Sequence, residues 1–212
     1  MQNGNITAAE EIYLAPLKEE CMRLFSGICI PSHDHLHHER VWKNASILLQ
    51  RLYDAGMTSD KRLPVKAIIA AFFHDTGLTV NRGPDHGKES RRLCRAFLQQ
   101  TDIPGDECDE ILDAVERHDD KSYSAKSDPA SLAAILSVAD DMDAFGAEGI
   151  ERYREIYSMR GISDEEMPPL VISNVLSRFR HMESTYRMFP DLVDDQRARV
   201  ESVTDYFTNI IR

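Results

Sequence analysis

Histidine and aspartate residues spread over about half of the chain are the side chains with the most evident chemistry. They occur at His33-Asp34-His35-Leu36-His37-His38, at His74-Asp75, at His118, and at Asp140 within Ala139-Asp140-Asp141-Met142-Asp143-Ala144. Imidazoles and carboxylates are the ligands that hold divalent metal ions in hydrolytic sites. Because these residues are far apart in sequence, only the fold can bring them together.

The elements that must position these residues are predicted to be helices. Nearly every segment shows helical periodicity, and no segment shows a long alternation of period two. Capping residues followed by proline mark several helix starts, as at Asp60 and Pro64. The predicted helices cover 8–26, 34–55, 65–73, 87–100, 104–118, 129–140, 148–159, 169–188 and 191–211. The sequence therefore predicts an all-α fold, a compact multi-helix bundle, with loops at 76–86 and 119–128.

The length of 212 residues predicts one helical domain over 1–212. The metal-site core is expected at about 33–146 and a C-terminal helical extension at about 150–212. A Gly-bearing, acidic stretch at 160–168 is the best candidate for a break between them.

Composition narrows the classes of partner. The 25 Lys and Arg residues against 36 Asp and Glu residues give a net charge of −11, which argues against a nucleic-acid polymer or an anionic membrane as partner. The chain begins without the basic and apolar regions of a signal peptide, and its longest apolar run, 67–73, is too short to span a bilayer. None of the four cysteines forms a Cys-x-x-Cys pair. We expect a cytoplasmic protein that acts on a small molecule. The sequence leaves open whether the protein forms a homodimer.

Apolar stripes on the predicted helices lead to the candidate ligands. One stripe, formed by Val41, Ala45, Leu48 and Leu52, continues back to His37, and another, formed by Ile68 and Phe72, continues to Asp75. A third stripe, Ile111 and Val115, leads to His118, and a fourth, Leu132 and Leu136, leads to Asp140. These polar groups should therefore face the interior. A buried carboxylate or imidazole needs a partner, because an unpaired one costs several kcal/mol. One such group is unremarkable, whereas four on different helices favour a common metal centre.

Three ordered motifs resemble the HD superfamily of metal-dependent phosphohydrolases. They are His33-Asp34-x-x-His37-x-x-Arg40-Val41, Phe73-His74-Asp75, and Ala139-Asp140-x-Met142-Asp143-Ala144-x-Gly146. The resemblance implies an all-α bundle of the HD-domain type with extra C-terminal helices. It also implies the metal ligands His37, His74, Asp75 and Asp140, and one or two divalent ions of Mn, Mg, Fe, Co or Ni per chain.

His86 and His118 stand where the binuclear members of this superfamily add ligands. The apolar stripe supports His118, whereas His86 stays open between a metal ligand, a substrate contact and a surface histidine. Many relatives have Arg directly after the last metal-binding Asp, but this chain has Asp141. Another cation must therefore bind the substrate if residue 141 does not. His86 is a further predicted substrate contact. The candidates are Arg82, Lys88, Arg91 and Lys121, each of which also fits a solvated surface charge.

The predicted function is metal-dependent hydrolysis of a phosphate ester, on a nucleotide or a related small phosphorylated metabolite. Asp75 would bind or bridge metal ions, and Asp140 would bind a metal and orient the nucleophile. His118, or an acid such as Asp119, would move protons to the leaving group. Three alternatives remain. They are a mixed-valent di-iron oxygenase of the same superfamily, a non-catalytic sensor of a nucleotide or metal, and a hydrogen-bonded polar core without metal.

Overall fold

The computed structural model describes residues 3–30, 32–120 and 128–210. Over these residues the chain forms nine α-helices, one short 3-10 helix and no strand, which confirms the all-α prediction. The helices are α1 (Asn3–Leu24), α2 (His35–Asp54), α3 (Leu63–Phe73), α4 (His86–Leu98), α5 (Gly105–Arg117), α6 (Leu132–Met142), α7 (Gly146–Met159), α8 (Met167–Tyr186) and α9 (Pro190–Ile210), with the 3-10 helix at Thr76–Thr79. None of these helices is long and apolar enough to cross a membrane.

Helix α2 carries the first motif, and local chemistry sets both of its ends. The Asp34 carboxylate accepts hydrogen bonds from the backbone N–H groups of Leu36 and His37, each at 3.1 Å, and so caps the helix. At the other end Gly56 has a φ of +65°, in the left-handed region that favours glycine.

The loop predicted over 76–86 is wrong in part. Residues Thr76–Thr79 form the 3-10 helix, and α4 already begins at His86. The period of a four-residue 3-10 turn is too short to be read from a sequence pattern. Most of the second predicted loop, 119–128, lies outside the described residues.

The chain divides into two compact units, Met1–Ala139 and Asp140–Arg212. The predicted single domain, with a core at 33–146 and an extension at 150–212, stays a prediction. In the first unit, α3 contacts α1, α2, α4 and α5. Every residue of α3 is buried, because the helix is apolar almost all round. Its C-terminal end is therefore held deep in the first unit.

Two glycines let the elements after α3 approach one another closely. A Cβ atom on Gly77 would lie 1.9 Å from the carbonyl oxygen of His86, and one on Gly87 would lie 2.3 Å from that of Glu116. The Gly77 N–H also donates to the Ser90 hydroxyl at 2.8 Å. These contacts fix the start of α4 against the 3-10 helix and against the end of α5.

Replacing Gly87 by alanine is expected to lower the free energy of unfolding by about 1–3 kcal/mol, because backbone must move to admit the methyl group. Thermal and urea unfolding measure this loss. The matched control is Gly105→Ala, also at a helix start, where nothing lies within 4 Å of the added Cβ. That substitution should leave stability unchanged or raise it by about 0.4–1 kcal/mol. Equal effects of the two substitutions would contradict the close approach of α4 and α5.

In the second unit, α7, α8 and α9 pack against one another. Asp143, in the third motif, is buried and accepts a hydrogen bond from Arg152 of α7 at 2.5 Å. Gly146 has a φ of +79°, and a Cβ on Gly149 would lie 2.1 Å from the carbonyl oxygen of Ala144. This part of the motif therefore builds the tight turn between α6 and α7 rather than holding a metal.

Candidate metal centre

Asp75 lies at the centre of a buried cluster of imidazoles in the first unit. Its Oδ1 atom lies 2.9 Å from Nε2 of His118 and 3.4 Å from Nε2 of His86. Its Oδ2 atom lies 3.4 Å from Nε2 of His74 and 3.5 Å from Nε2 of His37. The two carboxylate oxygens therefore face two different pairs of histidines.

The ends of the helices place these side chains. His74 directly follows α3, where the Thr76 hydroxyl donates to the carbonyl of Phe73 at 2.8 Å. The helix ends there, so the adjacent side chains of His74 and Asp75 reach the same cluster. His86 is the first residue of α4, and His118 directly follows α5. The ends of three helices thus bring these four side chains together.

Three of the imidazoles have a defined tautomer. The Nδ1 atoms of His74, His86 and His118 lie 2.8, 3.0 and 2.8 Å from the backbone carbonyls of Ala71, Gly83 and Val115. A carbonyl oxygen can only accept, so each Nδ1 carries the donated proton. In the neutral ring each Nε2 then presents a lone pair to the cluster. Metal-binding histidines commonly have this arrangement, in which the other ring nitrogen donates to a carbonyl or carboxylate.

With neutral imidazoles, the facing Nε2 atoms and the carboxylate oxygens would all be hydrogen-bond acceptors, so the cluster needs a cation, either protons or a metal ion. The Nε2 atoms of His37 and His74 lie 3.1 Å apart, and those of His86 and His118 lie 3.4 Å apart. Two lone pairs at these distances repel unless a proton or a metal ion lies between them. Two nitrogens bound to one metal at about 2.1 Å are separated by about 3.0–3.4 Å for octahedral to tetrahedral angles. The side chains present therefore fit a metal ion.

The group of Asp75, His86 and His118 is compact by itself. Their ligand atoms all lie within 4.8 Å of one another, and all three residues are buried. Burial alone would raise the pKa of the Asp75 carboxyl. The charge of His74 and the hydrogen bonds from His118 and His37 outweigh burial and hold this pKa well below its usual value. Asp75 therefore stays ionised, as a metal ligand must be.

The opposite shift occurs at His86. A hydrogen bond to Asp75 raises the pKa of His86 to about 9, against the opposing effect of burial. This raised pKa stabilises the metal-free protein fully below the unfolded value of about 6.5. The stabilisation is lost as the pH rises through about 9. His86 is therefore protonated at neutral pH until a metal replaces the proton.

Metal binding is expected to release that proton, so affinity should rise by about tenfold per pH unit between pH 7 and 9. Titration of the chelator-treated protein with Mn²⁺ in buffers of different ionisation enthalpy counts the protons. The control variant His86→Gln should release about one proton fewer than the wild type. Equal proton release by the two proteins would show that His86 is not displaced by metal.

Two further histidines of the first motif lie near the cluster. The Nε2 atom of His33, a residue that the sequence did not favour, lies 3.7 Å from Oδ2 of Asp75. His38 is buried, and its Nδ1 donates to the carbonyl of Ala71 at 3.2 Å. Burial and the charges of His74 and His37 hold the pKa of His38 well below its usual value. His38 is thus a neutral core histidine that supports the residues around it.

Asp140 begins the second unit and is buried. It follows Ala139, whose carbonyl accepts a hydrogen bond from the Asn44 side chain of α2 at 3.0 Å. Within the second unit, Nη1 of Arg178 on α8 lies 3.3 Å from Oδ2 of Asp140. The role of Asp140 as a metal ligand stays a prediction.

The predicted substrate-binding cations that the structure describes contact groups other than Asp75. Arg82 is exposed and donates to the carbonyl of Cys29 at 3.3 Å. Lys88 is exposed and pairs with Asp85 at 2.8 Å. Arg91 pairs with Asp113 and with Glu116, and Lys121 lies outside the described residues. The binding roles of Arg82, Lys88 and Lys121 stay predictions, and among the described candidates His86 lies within the cluster around Asp75.

The cation that sequence reasoning missed is Arg178, beside Asp140 and Asp141. The candidate cations named from the sequence all lie between the second and third motifs. The signal that the sequence did offer is the basic pair Arg178-x-x-His181 on one face of a predicted helix.

In this all-α protein, several helix ends therefore converge on a buried carboxylate and imidazoles that could hold a metal ion. The family model described as HD domain matches residues 36–144, just over half of the chain. The chain therefore belongs to the HD domain family. Comparisons with curated proteins and with solved structures found no significant match.

Proposed function

We propose that this protein is a metal-dependent phosphohydrolase that acts on a small phosphate ester, such as a nucleotide or a related metabolite. Membership of the HD domain family supports a hydrolase of this general class. The observation that carries the proposal is the arrangement of four histidine Nε2 atoms around both oxygens of the buried Asp75 carboxylate.

The proposed ligands are His37, His74 and Asp75 on one side and Asp75, His86 and His118 on the other. The two oxygens of the Asp75 carboxylate face different pairs of histidines, so Asp75 would hold metal together with either pair. Asp140 is proposed as a further ligand on the strength of its motif and its burial. A divalent metal ion at such a site lowers the pKa of a coordinated water and offsets charge on phosphoryl oxygens.

The contacts of His118 favour the ligand role over the proton-transfer role. Its Nδ1 is held by the carbonyl of Val115 and its Nε2 by Asp75, so neither nitrogen is placed to exchange protons with a leaving group. Asp119, the next residue, is exposed, and we propose it as the alternative to His118 for moving protons to the leaving group.

A screen of purified protein against phosphomonoesters, cyclic diesters and nucleoside triphosphates tests the proposal. Each substrate is offered with Mn²⁺, Mg²⁺, Fe²⁺, Co²⁺ or Ni²⁺ after removal of bound metal by a chelator. Metal-dependent release of phosphate or of a phosphomonoester is the expected result. Tight nucleotide binding without turnover would instead indicate a sensor, and hydrolysis that persists in excess chelator would contradict the proposed role of the metal.

A second candidate is a mixed-valent di-iron oxygenase. The observation that favours it is the position of His86 and His118 on the second face of Asp75, because a two-metal site needs these extra ligands. Iron close to two per chain and turnover that requires oxygen would support this candidate over hydrolysis.

A further inference from the structure

A second charged cluster lies within the second unit, centred on Asp141. This aspartate is fully buried and occupies the position directly after Asp140. Its Oδ1 accepts a hydrogen bond from Nη1 of Arg178 at 2.8 Å, and its Oδ2 from Nδ1 of His181 at 2.7 Å. Arg178 and His181 are three residues apart on α8 and so share one face of that helix.

The guanidinium of Arg178 is held on several sides. Nη1 also lies 3.3 Å from Oδ2 of Asp140, and Nε donates to Oδ1 of Asn174 at 3.0 Å. The same Asn174 oxygen accepts a hydrogen bond from the Tyr153 hydroxyl of α7 at 2.8 Å. The side chain of Arg178 is nevertheless 20% exposed. It is therefore fixed in orientation while part of it still reaches solvent.

The charges of this cluster explain why a cation is needed there. Asp140 and Asp141 are adjacent carboxylates, both buried, and they would repel a phosphate group that approached Asp140. Arg178 offsets this charge. His181 holds the second oxygen of Asp141, so the carboxylate stays turned toward Arg178. A planar guanidinium fixed in this way suits the oxygens of a phosphate better than a flexible ammonium does.

We propose that Arg178 binds the anionic oxygens of the phosphorylated substrate next to Asp140, and that Asp141 and Asn174 are its positioning residues. This inference rests on the proposed function for the chemical class of the substrate. Arg178 then supplies from α8 the positive charge that residue 141 lacks. The bound group is a phosphate monoester dianion, for which a second cation matters more than for a diester monoanion.

The test compares Arg178→Gln, which removes the charge, with Arg178→Lys, which keeps it. The matched control is Arg180→Gln, an exposed arginine on the same helix. Kinetics of the full chain with its metal use p-nitrophenyl phosphate and bis(p-nitrophenyl) phosphate. Calorimetry with inorganic phosphate measures binding without turnover, and thermal unfolding reports on the fold of each variant.

For Arg178→Gln we expect KM for the monoester to rise about 10- to 100-fold, in proportion to a lost charged hydrogen bond. The affinity for inorganic phosphate should fall by a similar factor, whereas kcat should change less than about threefold. KM for the diester should rise less. Arg178→Lys should fall between Arg178→Gln and the wild type, and Arg180→Gln should match the wild type.

Wild-type KM and phosphate affinity in both Arg178 variants would overturn the inference. A loss of kcat and of thermal stability with no change in phosphate affinity would also overturn it, because that pattern indicates a structural ion pair. If Arg178→Gln does not fold, Arg178→Lys decides between the same outcomes. If the wild type hydrolyses no phosphate ester but binds phosphate through Arg178, the hydrolase proposal fails and the anion site stands.

Discussion

Replacing His74 and Asp75 together by alanine is expected to remove bound metal and to lower kcat/KM at least about a thousandfold. Asp75 contributes to both faces of the cluster and His74 to one, and the Asp75 carboxylate lies near all four histidines proposed as ligands in the first unit. Without this carboxylate, the remaining imidazoles lose the anion that balances a bound cation. Elemental analysis measures the metal, and the rate of phosphate release measures the activity.

The matched control is the double variant His35→Ala/Asp113→Ala. It removes one imidazole of the first motif and one carboxylate, both outside the cluster, and Asp113 is exposed. Metal content and activity should stay within about twofold of the wild type. Circular dichroism of both variants checks that the helices are intact. Full metal content and activity in the His74/Asp75 variant would refute the site.

The second large effect is expected on stability. Replacing Asp143 by alanine should lower the free energy of unfolding by about 3–5 kcal/mol, because it leaves the guanidinium of Arg152 buried without its carboxylate. Nε of Arg152 already has no hydrogen-bond partner among the described residues. The substitution therefore removes the carboxylate partner of a guanidinium that has few other hydrogen bonds. Urea unfolding measures the change.

Asp194→Ala is the control for this effect. Asp194 is 77% exposed and lies 3.8 Å from Arg197 in a surface ion pair, so its removal should cost less than about 1 kcal/mol. The double variant Asp143→Ala/Arg152→Ala should recover part of the loss, since the unpaired charge is gone. Equal effects of Asp143→Ala and Asp194→Ala would contradict the burial of the pair.

The sequence predicted the helices and the inward positions well, because both depend on local periodicity. His37, Asp75 and His118 each continue an apolar stripe by one turn, and each is buried in the structure. Helix α2 was expected at 34–55 and is found at His35–Asp54. Each end of this helix depends on one residue, Asp34 at the start and Gly56 after the end, so the local sequence is sufficient to predict its bounds.

The approach of His86 to His118 could not be predicted in the same way. It depends on contacts of Gly77 with the start of α4 and of Gly87 with the end of α5, between elements that no periodicity relates. The 3-10 helix that places Gly77 is too short to show a periodic pattern in the sequence. For this reason the sequence left His86 open between three roles.

Arg178 was missed for a different physical reason. A charge pair can form between residues far apart in sequence, as Asp141 and Arg178 do, and no local pattern identifies the partner. The absence of arginine at position 141 is evident from the sequence, but the candidate cations named from it, Arg82, Lys88, Arg91 and Lys121, all lie between the second and third motifs. The burial of Asp141 is what identifies its partner, and burial of that residue is known only from the fold.

The central claim is that the cluster around Asp75 binds metal and that the metal serves hydrolysis. The most direct test is the rate of p-nitrophenol release from p-nitrophenyl phosphate by chelator-treated protein after addition of Mn²⁺ or Fe²⁺, measured in air and under nitrogen. We predict that release requires the added metal, is equal in the two atmospheres and is lost in the His74→Ala/Asp75→Ala variant. Release that needs no metal, or that this variant retains, would contradict the claim, as would turnover that stops under nitrogen.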